Sequence, residues 1–66
     1  MSETKISDIS VLIVEDEQQL LAYMSEYLRL FFDNVYTAKD GLSGYRLYES
    51  KKPDIIICAD IRLILI

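Results

Sequence analysis

Acidic side chains that could bind a metal ion stand at two places in this 66-residue chain. Glu15 and Asp16 directly follow the apolar run at residues 11–14, and Asp60 follows a second apolar run at residues 55–58. A short apolar run is typical of a buried strand, and the change to acid marks where the strand leaves the core. If the two strands are neighbours in a parallel sheet, these carboxylates converge beyond the strand ends. Converging carboxylates repel unless a cation joins them, and Mg²⁺ prefers oxygen ligands of this kind.

The hydrophobic pattern predicts the elements that would position these acids. Apolar residues spaced three and four apart predict the first helix, and Asp40 is a candidate cap for the second. Gly44 weakens the second helix prediction, since an interior glycine costs about 1 kcal/mol relative to alanine. The predicted elements are a leader over residues 1–8, strands over 9–14, 35–38 and 54–59, and helices over 18–32 and 42–50. Alternating strands and helices with right-handed crossovers predict an α/β fold with a parallel sheet.

The composition argues against several classes of protein. Hydrophobic residues make up 52% of the chain, which argues against a disordered linker. The net charge of −4, without histidine, argues against direct nucleic-acid binding. The single cysteine, Cys58, is interpreted as a buried small side chain in a reducing compartment. With no signal-peptide layout and no apolar segment long enough to span a bilayer, we expect a cytoplasmic protein without membrane contact.

Three short motifs, taken together, resemble a known family. They are Val-Leu-Ile-Val-Glu-Asp-Glu at residues 11–17, Ala-Lys-Asp-Gly at 38–41, and Lys-Pro-Asp at 52–54 leading into three isoleucines. In this order they resemble the receiver domain of bacterial two-component response regulators, from about residue 7 to residue 63. The resemblance implies the first half of a flavodoxin-like, doubly wound fold, with strand order 2-1-3 out of 2-1-3-4-5. We therefore expect a truncated receiver domain over residues 9–66.

The resemblance also implies a role for each acidic residue. Asp60 would be the nucleophile that accepts a phosphoryl group, and would also bind Mg²⁺. Asp16 would be a direct metal ligand, Glu15 a direct or water-mediated ligand, and Arg62 a ligand through its backbone carbonyl. The expected donor is a sensor histidine kinase or a phosphotransfer protein. The implied function is that of a signalling phosphoacceptor in a phosphorelay, not of a metabolic enzyme.

The chain departs from the family pattern in three respects. The acceptor usually lies five residues after the aspartate of the Pro-Asp pair, a position held here by Ala59, with Asp60 one residue later. Either Ala59 is an added residue that a bulge absorbs, or alanine occupies the acceptor position and Asp60 points elsewhere; the continuation after Asp60 favours the first. Glu15 replaces the commoner aspartate. The strands that carry the family's hydroxyl residue and phosphate-pairing lysine have no counterpart in this sequence, so we expect a truncated domain, and an inactive one is an open alternative.

Other interpretations of the same residues stay open. Glu15, Asp16 and Glu17 could be acids favoured at a helix amino terminus, and Asp60 with Arg62 could form an exposed turn. The five tyrosines are expected to pack against helices and strands. Two other functions are considered: a receiver-like interaction or dimerisation module that is not phosphorylated, and a Mg²⁺-dependent phosphotransfer enzyme.

The third predicted strand would form an open edge of the sheet. Its residues are apolar and continue into the apolar segment at residues 61–66. Open apolar edges recruit further strands. The sequence therefore predicts self-association through the third strand.

Overall fold

The structure is a computed structural model that describes residues 5–58. Three strands and two helices alternate along this part of the chain. They are β1 (Ile6–Val14), α1 (Gln18–Leu28), β2 (Phe32–Ala38), α2 (Gly41–Lys51) and β3 (Ile55–Cys58). The order β-α-β-α-β is the one predicted from the sequence.

The strands form one parallel sheet with the order β2-β1-β3. This arrangement confirms the predicted 2-1-3 order and is consistent with half of a flavodoxin-like fold. Val14, at the end of β1, lies beside Ala38 of β2 on one side and beside Cys58 of β3 on the other. The carboxyl ends of all three strands therefore reach the same edge of the sheet.

The central strand carries the core because it is covered on both faces. Val11 and Ile13 face α1 and pack with side chains of that helix, whereas Leu12 and Val14 belong to a second cluster with Leu47 of α2. These four strand residues are at most 4% exposed. An unbroken apolar run is what a parallel strand buried on both faces requires.

Both helices begin at an acidic capping residue. The Glu17 side chain accepts a hydrogen bond from the Leu20 amide, and the Asp40 side chain accepts one from Ser43. Lys52 ends α2 in the left-handed conformation, with φ of 50°. Neither helix of the described residues has the length and apolar character needed to cross a membrane.

Several predicted boundaries were wrong. The strand predicted over residues 9–14 begins at Ile6, so the leader expected over residues 1–8 includes three strand residues. The helix predicted to residue 32 ends at Leu28, and Phe32 instead begins β2. A sheet pairing explains both errors, because Ile6 lies opposite Phe32 and its amide donates to the Phe31 carbonyl at 2.8 Å.

Candidate metal site at the end of the first strand

The candidate site begins where β1 leaves the sheet. The backbone amide of Glu15 donates to the carbonyl oxygen of Ala38 at 3.0 Å, which extends the pairing of β1 with β2 by one residue. This bond fixes Glu15 at the carboxyl edge of the central strand. Ligand sites of parallel α/β sheets lie at this edge.

Glu15 is a buried carboxylate, 5% exposed. Its Oε2 atom accepts a hydrogen bond of 2.7 Å from the backbone amide of Glu17, across the turn into α1. A buried charged group needs a partner, and this amide supplies one. A cation bound through Oε1 would give the carboxylate a second partner without breaking the first.

Asp16 and Glu17 have different roles although they are neighbours. Asp16 is exposed, so a hydrated cation could reach its carboxylate. We name the pair Glu15 and Asp16, at the end of β1, the acidic corner. The Glu17 Oε1 atom accepts a hydrogen bond of 2.7 Å from the Leu20 amide, so this side chain is the cap of α1. The interpretation as an acid that caps the start of a helix is therefore confirmed for Glu17. Glu15 and Asp16 remain the candidate metal ligands.

Two of the four predicted site residues, Asp60 and Arg62, lie outside the described residues, as does Ala59. The described residues include the strand that precedes them in the sequence, β3, which ends at Cys58. Cys58 lies opposite Val14 in the register of β3 on β1, directly beside the start of the Glu15–Asp16 pair. Within residues 5–58 no group of three or more His, Cys, Asp or Glu side chains is placed to bind a metal ion.

The residues present fit Mg²⁺ in their chemistry. Mg²⁺ keeps several water ligands and needs only one or two protein carboxylates. Glu15 offers a carboxylate held in place by the Glu17 amide, and Asp16 offers one that water can reach. One carboxylate that is held in place, beside one that is solvated, suits a metal ion that keeps part of its water shell.

The start of β3 is held to β1 by a polar contact that the sequence analysis did not identify. Asp54 Oδ2 accepts hydrogen bonds from the Ser10 amide at 2.8 Å and from the Ser10 hydroxyl at 3.4 Å. The Asp54 amide in turn donates to the Ser10 carbonyl at 3.0 Å. This contact helps to fix the register that brings Cys58 beside Val14. An aspartate at the first position of the strand predicted over residues 54–59 was the only signal in the sequence.

The prediction that the five tyrosines pack against helices and strands is confirmed for Tyr36, whereas the other four are largely exposed. Tyr36 packs against the cluster on the α2 side of the sheet. The other four are 45% to 66% exposed, because they lie on helix surfaces that face away from the sheet. These four are Tyr23, Tyr27, Tyr45 and Tyr48. Each helix therefore presents two tyrosine side chains to solvent.

Comparison with known proteins adds no assignment. No family model matches the chain, and no solved structure matches it.

Proposed function

We propose that the chain is a receiver-type module that accepts a phosphoryl group on Asp60. Mg²⁺ would be held by Glu15, Asp16 and Asp60, with the Arg62 backbone carbonyl as a further ligand. The observation that supports this proposal is the pairing of β3 directly beside β1, with Val14 opposite Cys58. Asp60 follows Cys58 by two positions in the sequence, and so follows the strand that ends beside the acidic corner.

Phosphoryl transfer to an aspartate requires few protein groups. An aspartate is ionised at neutral pH and can attack phosphorus without a general base. A carboxylate oxygen of Asp60 forms the new bond to phosphorus as the bond from phosphorus to the donor's histidine nitrogen breaks, and that nitrogen keeps the electron pair. Bound Mg²⁺ would neutralise the charge on the transferred oxygens. Glu15 and Asp16 would hold that cation, and the Glu17 amide holds Glu15 in place.

The proposed role is a signalling switch and not a metabolic enzyme, because the protein itself carries the product. A sensor histidine kinase or a phosphotransfer protein would be the donor, and the proposed location is the cytoplasm. The net charge of −4 suits a module that is read by other proteins and not by nucleic acid.

The test is phosphorylation with a small acyl phosphate donor and Mg²⁺, followed by intact-mass measurement. We expect one added phosphoryl group, which does not form when a chelator is present before the donor is added and is absent in Asp60→Asn. Asp33→Asn is the matched control, since Asp33 is an exposed aspartate of β2 and should leave the adduct unchanged. Failure to form an adduct, or an adduct that persists in Asp60→Asn, would overturn the proposal.

A second candidate is a receiver-like interaction module that is never phosphorylated. It is favoured by exposed apolar side chains on α1 and in the turn after it, where Tyr27 of α1 and Phe31 of the turn stack edge to face with ring centroids 5.3 Å apart. Such a module would bind its partner equally well with and without Mg²⁺ and the phosphoryl donor. The same mass experiment separates the two candidates, because only the first forms an adduct.

A further inference from the structure

Three hydrogen bonds meet at Glu17, the residue at which the chain passes from the acidic corner into α1. Its backbone amide donates to Glu15 Oε2 at 2.7 Å, and its carbonyl oxygen accepts from the Leu21 amide at 2.9 Å. Its side-chain Oε1 accepts from the Leu20 amide at 2.7 Å. The first bond reaches the acidic corner, and the other two belong to the helix. Glu17 therefore connects a candidate metal ligand to α1.

The helical end of this connection is anchored in the core. Leu21 and Met24 of α1 pack against the buried cluster on that side of the sheet. The first amides of a helix have no partner within the helix, so a first turn without a cap frays. The Glu17 side chain supplies the acceptor that the Leu20 amide needs. The cap therefore extends the order of the packed helix back to residue 17.

The other end of the connection is the buried carboxylate of Glu15. A carboxylate that is only 5% exposed depends on the donors around it, and losing the bond from the Glu17 amide would force it to find another partner. The direction of that amide is set by the backbone of residue 17, which is extended, with φ of −89° and ψ of 114°. Whatever fixes this backbone also fixes the orientation of Glu15.

We propose that Glu17 is a positioning residue of the metal site and that it acts through the cap of α1. Its carboxylate caps the helix, the cap fixes the backbone of residue 17, and the amide of that residue holds Glu15 in place for Mg²⁺. The inference rests on the proposed function, because it takes Mg²⁺ as the ion held by the acidic corner. Coupling of this kind is reciprocal, so bound Mg²⁺ stabilises the first turn of α1 in return.

The charge of Glu17 offers a different explanation, which a matched pair of variants separates from the cap. A carboxylate near the site attracts a cation through space, whatever its hydrogen bonds. Glu17→Ala and Glu17→Ser remove the same charge, but serine is a good amino-terminal cap and alanine is a poor one. A difference in Mg²⁺ affinity between these two variants therefore reports the cap and not the charge.

The first test is titration of the full chain with Mg²⁺, followed in ¹H–¹⁵N spectra. Glu17→Ala should raise the dissociation constant for Mg²⁺ about three- to tenfold, less than the loss of a direct partner of the ligand, and Glu17→Ser should stay within about twofold of the parent. Asp40→Ala is the control, because it removes the acidic cap of α2 and should also leave the constant within about twofold. Far-UV circular dichroism checks that the variants remain folded.

The second test uses the parent protein and needs no variant. Saturating Mg²⁺ should slow hydrogen exchange of the Leu20 amide, whereas the Ser43 amide, at the cap of α2, should not respond. Equal Mg²⁺ affinities in Glu17→Ala and Glu17→Ser, or a Leu20 amide that ignores bound Mg²⁺, would overturn the inference while leaving the proposed function intact. A parent protein that binds no Mg²⁺ would overturn both.

Discussion

Gly44 of α2 lies so close to Val14 of β1 that a methyl group at position 44 would come within 2.8 Å of the valine Cγ2 atom. The same methyl would lie 3.4 Å from the valine Cγ1 and 3.7 Å from the Ala38 Cβ. This contact explains why a residue with poor helix propensity stands inside α2. The absence of a side chain lets the helix lie directly on the strand that ends at Glu15.

Gly44→Ala should destabilise the protein even though alanine is the better helix former. Overpacking a tight contact costs about 1 to 3 kcal/mol, and the propensity gain of about 1 kcal/mol only partly offsets it. We expect the free energy of unfolding to fall by about 1 kcal/mol in urea denaturation. Gly41→Ala is the control, because Gly41 is exposed at the start of α2. Equal effects at the two positions would contradict the role assigned to the Val14 contact.

Asp54→Ala should loosen the attachment of β3 to β1. The substitution removes the acceptor of the 2.8 Å bond from the Ser10 amide, which is partly buried. The loss of one such bond costs about 1 kcal/mol in the free energy of unfolding. Amide hydrogen exchange should quicken at residues 55–58 more than in β2. Uniform acceleration across the sheet would show that the contact does not act on β3 in particular.

Part of the stability that the fold loses at low pH is expected to come from Asp40. Hydrogen bonds from the Ser43 amide and side chain, aided by the charges of Lys39 and Arg46, lower the pKa of Asp40 below its ordinary value of 3.8. A carboxyl group with a lowered folded-state pKa stabilises the fold above its unfolded pKa, and this stabilisation is lost as the pH falls through the folded value.

Asp40→Asn should therefore leave stability near neutral pH almost unchanged, since asparagine is also a good amino-terminal cap. Below about pH 4 the variant should lose less stability than the parent protein. Denaturant titrations across the acid range measure this difference. Asp33→Asn, at an exposed strand position, serves as the control. Parallel pH profiles for the parent and Asp40→Asn would refute the assignment.

Lys52→Gly should stabilise the fold. Lys52 has φ of 50° and ψ of 57°, a left-handed conformation that glycine adopts more easily than residues with a Cβ atom. We expect the free energy of unfolding to rise by about 0.5 to 1 kcal/mol. Lys52→Ala loses the same charge but keeps the backbone strain, and so should show no gain. If both variants behave alike, the charge and not the backbone is responsible.

Local patterns predicted the number, type and order of the elements, but not their ends. The apolar run at residues 11–14 and the spaced apolar residues of α1 have strong local signals. Phe32 continues the apolar stripe of α1, yet it belongs to β2 because it pairs with Ile6. Ile6 lies outside the clear apolar run, and its pairing is separated from that of Ser10 by a shift of register. Pairing between distant segments decides such boundaries.

For the candidate site, too, the sequence predicted the position of the residues but not their contacts. The acidic pair after an apolar run locates Glu15 and Asp16 at a strand end, and the structure confirms that position. The burial of Glu15 and its bond to the Glu17 amide depend on the turn between β1 and α1, which sequence spacing does not determine. The role of Glu17 as a cap likewise depends on where α1 begins.

The Glu17 amide provides a direct test of Mg²⁺ binding at Glu15. This amide donates to Glu15 Oε2 at 2.7 Å, so a cation on the same carboxylate must change the hydrogen bond and the chemical shift of the amide proton. We expect a saturable shift on titration with Mg²⁺ in ¹H–¹⁵N spectra. Glu15→Gln keeps an acceptor for the amide but removes the charge, and should weaken Mg²⁺ binding about tenfold or more.

Asp16→Asn should weaken the same titration without disturbing the Glu17 amide in the absence of metal, because Asp16 is exposed and Glu15 still accepts the bond. Glu26→Gln, at an exposed position of α1, should leave the titration unchanged. An amide signal that ignores Mg²⁺, or that responds equally in Glu15→Gln, would show that Glu15 serves only to hold the turn into α1. The acidic corner would then stabilise the start of a helix without binding a metal.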